Sequence, residues 1–408
     1  MESRETLHVA EEVLGLPPGT LQGPIDGDLA PLLSGVQRNA SPKVPVASDA
    51  LLRALDGVRT PTLRKWPWPD ARGFCVNLSH DVDEIRWSWR RRALMGARHP
   101  RTLLEPNRRY WNFDRVKGLE AGHGVRSTWF FVAEGRHPRD PLYRVEDVQA
   151  AVRDLVQSGH EVGVHGSFLS FKDGTLLERE RRAISLAAGR PIPGVRQHFL
   201  NFEAPLTWEI QESAGFSYDA SLGFNELSGF RSGMCHPYRP PGLRILEIPL
   251  ILMDGQLFWY EHLSVEGAIR NCERIAEEVI RQNGLLTLNW HQHTYDAYSF
   301  PGWWDVYEHM LRWLKERSAL FMTCGEVMDW WRKRERVTVT PKEIGTRRGT
   351  WVVESDEPVR GLTLEGAGMA GAVFDADVPH RTVSIGGRTL IRLDDLSPGP
   401  PAKIGATW

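Results

Sequence analysis

Asp81 and Asp83 stand two residues apart in Ser79-His80-Asp81-Val82-Asp83, at the end of the apolar run Phe74-Cys75-Val76-Asn77-Leu78. A strand turns successive side chains to opposite faces, so this spacing puts both carboxylates on one face. Two carboxylates held together repel, and burial sharpens the repulsion unless a cation or a proton intervenes. The plainer alternative is a helix-capping acid followed by a surface acid, because Glu84 to Leu94 reads as helical. The histidines weigh between the two. His165, His198 and His291 each fall at the end of a strand-like run, and a random scatter of 14 histidines would seldom choose strand ends so consistently.

A hydrolytic metal site needs about three convergent ligands and an open position for water. Asp83 offers a hard oxygen, and His165 and His198 offer nitrogens. Asp81 is then free to act as general base, and His291, from a strand across the fold, to protonate a leaving group. Arg196 is two residues before His198 and shares its face, where its guanidinium would hold Asp81 ionised and oriented. The expected cofactor is one divalent ion: zinc suits mixed N/O ligation, with cobalt, nickel, manganese and iron as alternatives. His293 shares the face of His291 and competes for the acid role. The loop Gly229 to Tyr238 offers Arg231 and His236 as contacts for a polar or anionic substrate group, against the alternative of a loop packed by its own side chains. Trp290 adjoins His291 and is the best-placed sugar platform among tryptophans that otherwise read as core. Asp254 ends another apolar run and is a further candidate to face the site. His123 and His137 read as surface histidines.

The elements that must position these groups alternate. Strand patterns at Arg126–Val132, His160–His165, Gly194–Phe199, Phe216–Ser221 and Leu285–His291 are interleaved with helical patterns at 145–158, 175–188, 205–214, 264–282, 303–315 and 326–333. Leu243–Met253 is strongly apolar and Leu320–Thr323 reads as a short strand. Such repetition predicts a mostly parallel sheet covered by helices and curled into a barrel, with chemistry gathered at the C-terminal strand ends. Residues 1–70 are punctuated by Pro and Gly and read as an extension wrapping the core. The catalytic domain spans 71–335. After residue 336 the pattern becomes short β runs with Gly, Asp and Pro turns, an antiparallel β appendage whose role the sequence does not choose.

Composition sets the outer limits. Fifty Lys and Arg against 52 Asp and Glu leave no basic field for nucleic acid. The Arg-rich stretch Arg86 to Arg92 reads as a solvated helix face rather than a phosphate patch. Cys75, Cys235, Cys272 and Cys324 lack metal-like spacing. Met1 to Leu16 lacks the apolar core of a signal peptide, and no stretch of about twenty apolar residues spans a membrane. The expectation is a cytoplasmic protein, of undetermined oligomeric state.

This ordered series resembles the polysaccharide deacetylases with the NodB-homology domain (carbohydrate esterase family 4) over residues 72 to 335. Asp81-Val82-Asp83 is similar to the family's first motif, a base followed by a ligand. Gly159 to Ser167 resembles the second, whose first histidine, here His165, is a ligand. Arg196-Gln197-His198-Phe199 is similar to the third, in which the arginine braces the base and the aromatic residue's N–H helps bind the oxyanion, a role that falls on Phe199. Tyr218-Asp219 lies where the fourth motif falls and makes Asp219 a substrate-binding candidate. Leu288-Asn289-Trp290-His291 resembles the last, whose histidine is the general acid. The resemblance implies a distorted (β/α) barrel of the NodB type and a metal-dependent carbohydrate N-deacetylase. Two departures stand out: Leu169 and Ser170 occupy the place of the usual second histidine, and His198 replaces the third motif's proline. His198 is expected to compensate as the third ligand, with Ser170 as its competitor. The alternatives are a non-catalytic carbohydrate-binding protein on this scaffold and a metal-dependent hydrolase of a non-sugar amide or ester.

Overall fold

The computed structural model describes residues 4–21, 43, 45–98, 100, 104, 107–399 and 401–408. Of the expected extension, residues 1–3, 22–42 and 44 lie outside them. The extension's described part contains helices Arg4–Leu14 and Val46–Asp56 and strand β1 (Thr62–Lys65). The parallel strands follow as β2 (Cys75–Val82), β3 (Thr128–Phe131), β4 (Glu161–Gly166), β5 (Gly194–Gln197), β6 (Tyr218–Asp219), β7 (Leu246–Glu247), β8 (Leu252–Met253), β9 (Leu285–Asn289) and β10 (Leu320–Phe321). Their order is β7-β6-β5-β4-β3-β2-β9-β8, with β10 also paired to β2, and every pairing is parallel. The sheet is therefore a barrel left open between β7 and β8. The apolar run 243–253 yields two short strands rather than one.

Local chemistry explains the connecting helices. Asp173 caps helix Gly174–Ala188 through the Leu176 N–H at 3.0 Å, and Ser264 caps Val265–Arg281 through the Gly267 N–H. Thr323 and Glu326 form a reciprocal capping box at Cys324–Arg336. The helical pattern expected from Glu84 begins only at Trp89, so Asp83 opens a loop and caps no helix. β5 stops at Gln197, short of the expected Phe199, because Phe199 adopts φ +57° and turns the chain out of the sheet.

The C-terminal strands are β11 (Thr338–Ile344), β12 (Arg348–Glu354), β13 (Val359–Arg360), β14 (Thr363–Ala367), β15 (Val373–Ala376), β16 (His380–Ile385), β17 (Arg388–Leu393), β18 (Asp395–Leu396) and β19 (Ala402–Thr407). They form antiparallel sheets β1-β14-β17-β16 and β11-β12-β19-β15, plus the pair β13-β18. Thus β1, from the N-terminal extension, is an edge strand of the C-terminal region. The apolar core of that region, with Trp351, Leu364 and Ile404, is continuous with Cys75 and Leu285 at the starts of β2 and β9 and with Trp330 and Trp331. The appendage therefore packs against the N-terminal ends of the barrel strands, opposite the end where Asp81, His165 and His291 lie.

Candidate metal centre and active site

Four strand ends build the site. Parallel register sets Asp81 beside Phe130, Ser79 beside Asn289, and His165 beside Arg196, so residues distant in sequence arrive at one level of the sheet. Asp83, one residue beyond β2, brings its carboxylate to the histidines. One donor atom from each of Asp83, His165 and His198 lies within 4.8 Å of the others. His165 Nε2 and His198 Nε2 approach the same Asp83 Oδ1, at 3.3 and 3.6 Å. That buried oxygen nevertheless has no hydrogen-bond partner among the described residues. Donor atoms aimed at a common point without bonding one another, drawn from one carboxylate and two imidazoles, fit a divalent cation.

The far side of His165 is hydrogen-bonded, and that of His198 faces a carboxylate without a hydrogen bond. His165 Nδ1 meets the Arg196 carbonyl at 2.9 Å, leaving Nε2 for the site. His198 Nδ1 faces Asp140 Oδ1 at 3.5 Å. Asp140 also accepts backbone N–H groups from Arg136, His137 and Phe168; against the raising effect of burial, the His198 imidazole first and then these N–H groups hold its carboxyl down at about 2. A carboxylate behind a ligand histidine fixes ring orientation and raises its basicity. Ser170, the competing ligand candidate, turns its hydroxyl to the Ser167 carbonyl and to Gln197 Oε1. A Cβ at Gly166 would meet that Gln197 oxygen at 2.2 Å and the Ser170 hydroxyl at 2.7 Å, so any larger residue there would have to displace both side chains.

Asp81 is placed differently. Its Oδ1 accepts from Arg196 Nη1 at 2.9 Å and its Oδ2 from Asn289 Nδ2 at 2.7 Å. Burial would raise its pKa, but the Arg196 charge, with those of His165 and His291, outweighs burial and holds it below the ordinary carboxylate value. Asp83 is likewise driven well below by the surrounding histidines despite burial. His291 Nε2 lies 3.2 Å from Asp83 Oδ2, and its Nδ1 lies 2.6 Å from Asp254 Oδ1. Asp254 Oδ2 also accepts the His291 N–H and the Thr294 hydroxyl. Burial alone would lower His291; Asp254 reverses this and raises it well above the usual imidazole value. His293 also lines the pocket, yet burial and the His291 charge depress it to about 4. Of the two, His291 is the one whose neighbours favour the protonated form.

Phe199 lines the pocket. Four substrate-binding expectations do not fit. Trp290 is fully buried and packs on Tyr307, 5.6 Å between ring centres. Asp219 is fully buried and bonded to Gln211 and Ser221, beside Glu247, which burial and the Asp219 charge push well above the usual carboxyl range. Arg231 donates to the Gly223 carbonyl. His236 is buried and depressed to about 3, chiefly by desolvation. None of the four lines the pocket, a cavity of about 840 Å³ above the Asp83 cluster. Asp140 and Asn289 were not singled out in the sequence: Asp140 carries no motif, and Asn289 shows only as a polar residue ending an apolar strand.

No family model matches the sequence, and no curated protein matches it. Solved structures do. One is a protein of Mycobacterium smegmatis assigned to the polysaccharide deacetylases, 17% identical, covering 68% of this chain and 96% of that one at a TM-score of 0.48. Puue allantoinase is 14% identical, covering 65% and 93% at 0.46. BA3943 of Bacillus anthracis, a CE4 family pseudoenzyme, is 14% identical, covering 64% and 66% at 0.36. The likeness to polysaccharide deacetylases and CE4 proteins concerns the fold alone.

Proposed function

We propose that the protein is a metal-dependent hydrolase that removes an N-acetyl or related acyl group from an amino sugar or a sugar-containing precursor. The observation that carries this reading is the difference between the acids: Asp83 approaches two imidazoles, at 3.3 and 3.6 Å, through an oxygen with no hydrogen-bond partner among the described residues, while Asp81, 4.0 Å from His165 Nε2, has its two oxygens hydrogen-bonded by Arg196 and Asn289. Asp83, His165 and His198 would hold the ion, with zinc the first expectation. Bound there, a divalent cation supplies a Lewis acid beside the scissile carbonyl and activates water near neutral pH.

The protein's own groups complete the reaction. Asp81, kept ionised by Arg196, accepts a proton from the attacking water as its oxygen bonds to the acyl carbon. The Phe199 N–H is proposed to face the oxyanion that forms. His291, charged through Asp254, gives its proton to the amide nitrogen as the C–N bond breaks, releasing acetate and a free amine. The test combines bound-metal analysis with acetate release from a panel of N-acetylated sugars. About one equivalent of metal, with turnover abolished by chelation, is expected. Metal-free protein, or acetate release indifferent to chelation, sinks the reading. His198→Ala should lose the metal; unchanged stoichiometry would remove His198 from the ligand set.

A further inference from the structure

We propose that the rim of the catalytic pocket docks on an anionic lipid surface and takes from it a lipid-anchored, N-acylated substrate; the substrate half of this proposal rests on the hydrolase reading above. The observation is the character of the rim. Trp89 is 75% exposed, Leu142 85%, Trp259 45% and Tyr260 41%, and all four line the mouth of the cavity. They come from the connections after β2, β3 and β8, so the apolar groups surround the entrance instead of forming a stripe on one element. Contiguous exposed apolar surface on a soluble fold marks an interaction site.

Two features decide what the rim meets. Flat aromatic rings alone would suit sugar stacking, and Asn107 and Asn225 in the lining suit a sugar deeper in the cavity, but Leu142, 85% exposed, offers a sugar no hydrogen bond. Charge points the same way. Residues 85–98 contain five arginines and no acid, with Glu84 the acid that precedes them at the cavity. Helix Trp89–Arg98 sits at the pocket mouth with Trp89, Arg90, Leu94 and Arg98 exposed. Arg86, Arg92 and Arg139 line the cavity itself. Apolar side chains beside arginines on one short helix match an element lying in a lipid interface, where the apolar groups enter the acyl boundary and the cations meet phosphates. The Arg86–Arg92 stretch, expected as a merely solvated face, thus borders the catalytic cavity. A phosphate-linked lipid carrying an N-acetylated sugar would place its sugar over Asp83 and its phosphate among these arginines.

The first experiment is co-sedimentation of the metal-loaded protein with phosphatidylcholine vesicles, with and without about one third phosphatidylglycerol. Binding at least about ten-fold stronger to the anionic vesicles, weakened by salt, is expected. It should be reduced by Arg90→Glu/Arg98→Glu and, independently, by Trp89→Ser/Leu142→Ser, with folding of each variant checked by circular dichroism. Absence of binding to anionic vesicles overturns the proposal, and so does binding indifferent to Trp89→Ser/Leu142→Ser. The second experiment compares acetate release from soluble N-acetylglucosamine oligomers, from N-acetylglucosamine on a polyprenyl phosphate in vesicles, and from a short-chain soluble analogue of the latter. Preference for the vesicle-borne substrate supports the proposal. Turnover of soluble oligomers with no vesicle binding makes the rim a carbohydrate platform and overturns it. Vesicle binding without turnover of any substrate leaves the docking surface standing and removes the hydrolase reading, so the two failures are distinguishable.

Discussion

Asp81 has both oxygens engaged, one by a cation and one by an amide, and in the proposed reaction its part is to take a proton from water. Asp81→Asn keeps shape and hydrogen-bonding capacity but removes the basic oxygen. We expect turnover to fall by about 10²–10⁴-fold with metal content unchanged; loss of metal in parallel would make Asp81 a ligand instead. Asp140 acts one step further out, through His198. Asp140→Asn should weaken metal affinity by about 10–100-fold, measured by competition with a chelating dye, without changing the metal-saturated pH profile. Equal affinity would mean that His198 is oriented by its packing alone. The structure brings Asp81, Asp83, His165 and His198 together, and each stands at or just past the end of a strand-like run, where a parallel sheet gathers chemistry. Asp140 was not legible in the sequence, since it sits in a loop whose approach to His198 depends on three backbone N–H groups rather than on a pattern. Asp219 and Trp290 misled for the converse reason: they occupy motif-like positions, but their side chains turn into the protein interior.

The loop after β4 shows how an element supports the site without touching substrate. Ser167 donates its N–H to Glu180 Oε2 from helix Gly174–Ala188, and Ser170 ties the loop to Gln197. Glu180 is almost fully buried, and desolvation raises its carboxyl to about 7 from an unperturbed 4.5. The sign follows from linkage: an acid raised in the folded state favours folding fully below its unfolded value, and that contribution is lost as pH rises to the folded value. Wild type should therefore lose roughly 3 kcal/mol between about pH 4.5 and 7 through this group, and change little through it above. Glu180→Gln keeps an acceptor for the Ser167 N–H and lacks the slope. Urea unfolding of both proteins at about pH 5 and 8 should show the variant gaining on wild type at the higher pH; parallel changes would mean that Glu180 is ionised without cost. Long elements such as Val265–Arg281 were readable from periodicity and caps. The two short strands β7 and β8 inside the apolar run 243–253 were not separable, because so few residues carry no period, whereas β6 falls within the expected strand Phe216–Ser221. The break after Gln197 was also hidden, since a left-handed Phe199 costs about 1–3 kcal/mol and has no local signature.

At the scale of the molecule, three segments that differ in composition share one core. β1 pairs with β14 in register Leu63 to Gly366, although the two are some three hundred residues apart. Arg334, fully buried, donates to the carbonyls of Trp66, Lys65, Glu12 and Val13, so the last barrel helix grips the N-terminal extension. Trp68 and Trp331 meet at 5.6 Å inside the same cluster as Trp351. The change of character near residue 336 was visible in the sequence, but this union was not: pairing across such a separation is set by tertiary packing and leaves no short-range pattern. The packing makes a prediction about cooperativity. Trp331→Ala should cost about 3–5 kcal/mol, and because its neighbours belong to both the barrel and the β region, the loss should appear in every probe at once. Near-ultraviolet circular dichroism, which follows the tryptophans, and release of bound metal, which follows the far strand ends, should shift together to lower denaturant. Below the transition, metal affinity should match wild type, since the substitution lies at the opposite end of β2 from Asp83. If metal release kept its wild-type midpoint while the tryptophan signal moved, the β region would be an independent attachment, and the N-terminal ends of the barrel strands would be only its docking face.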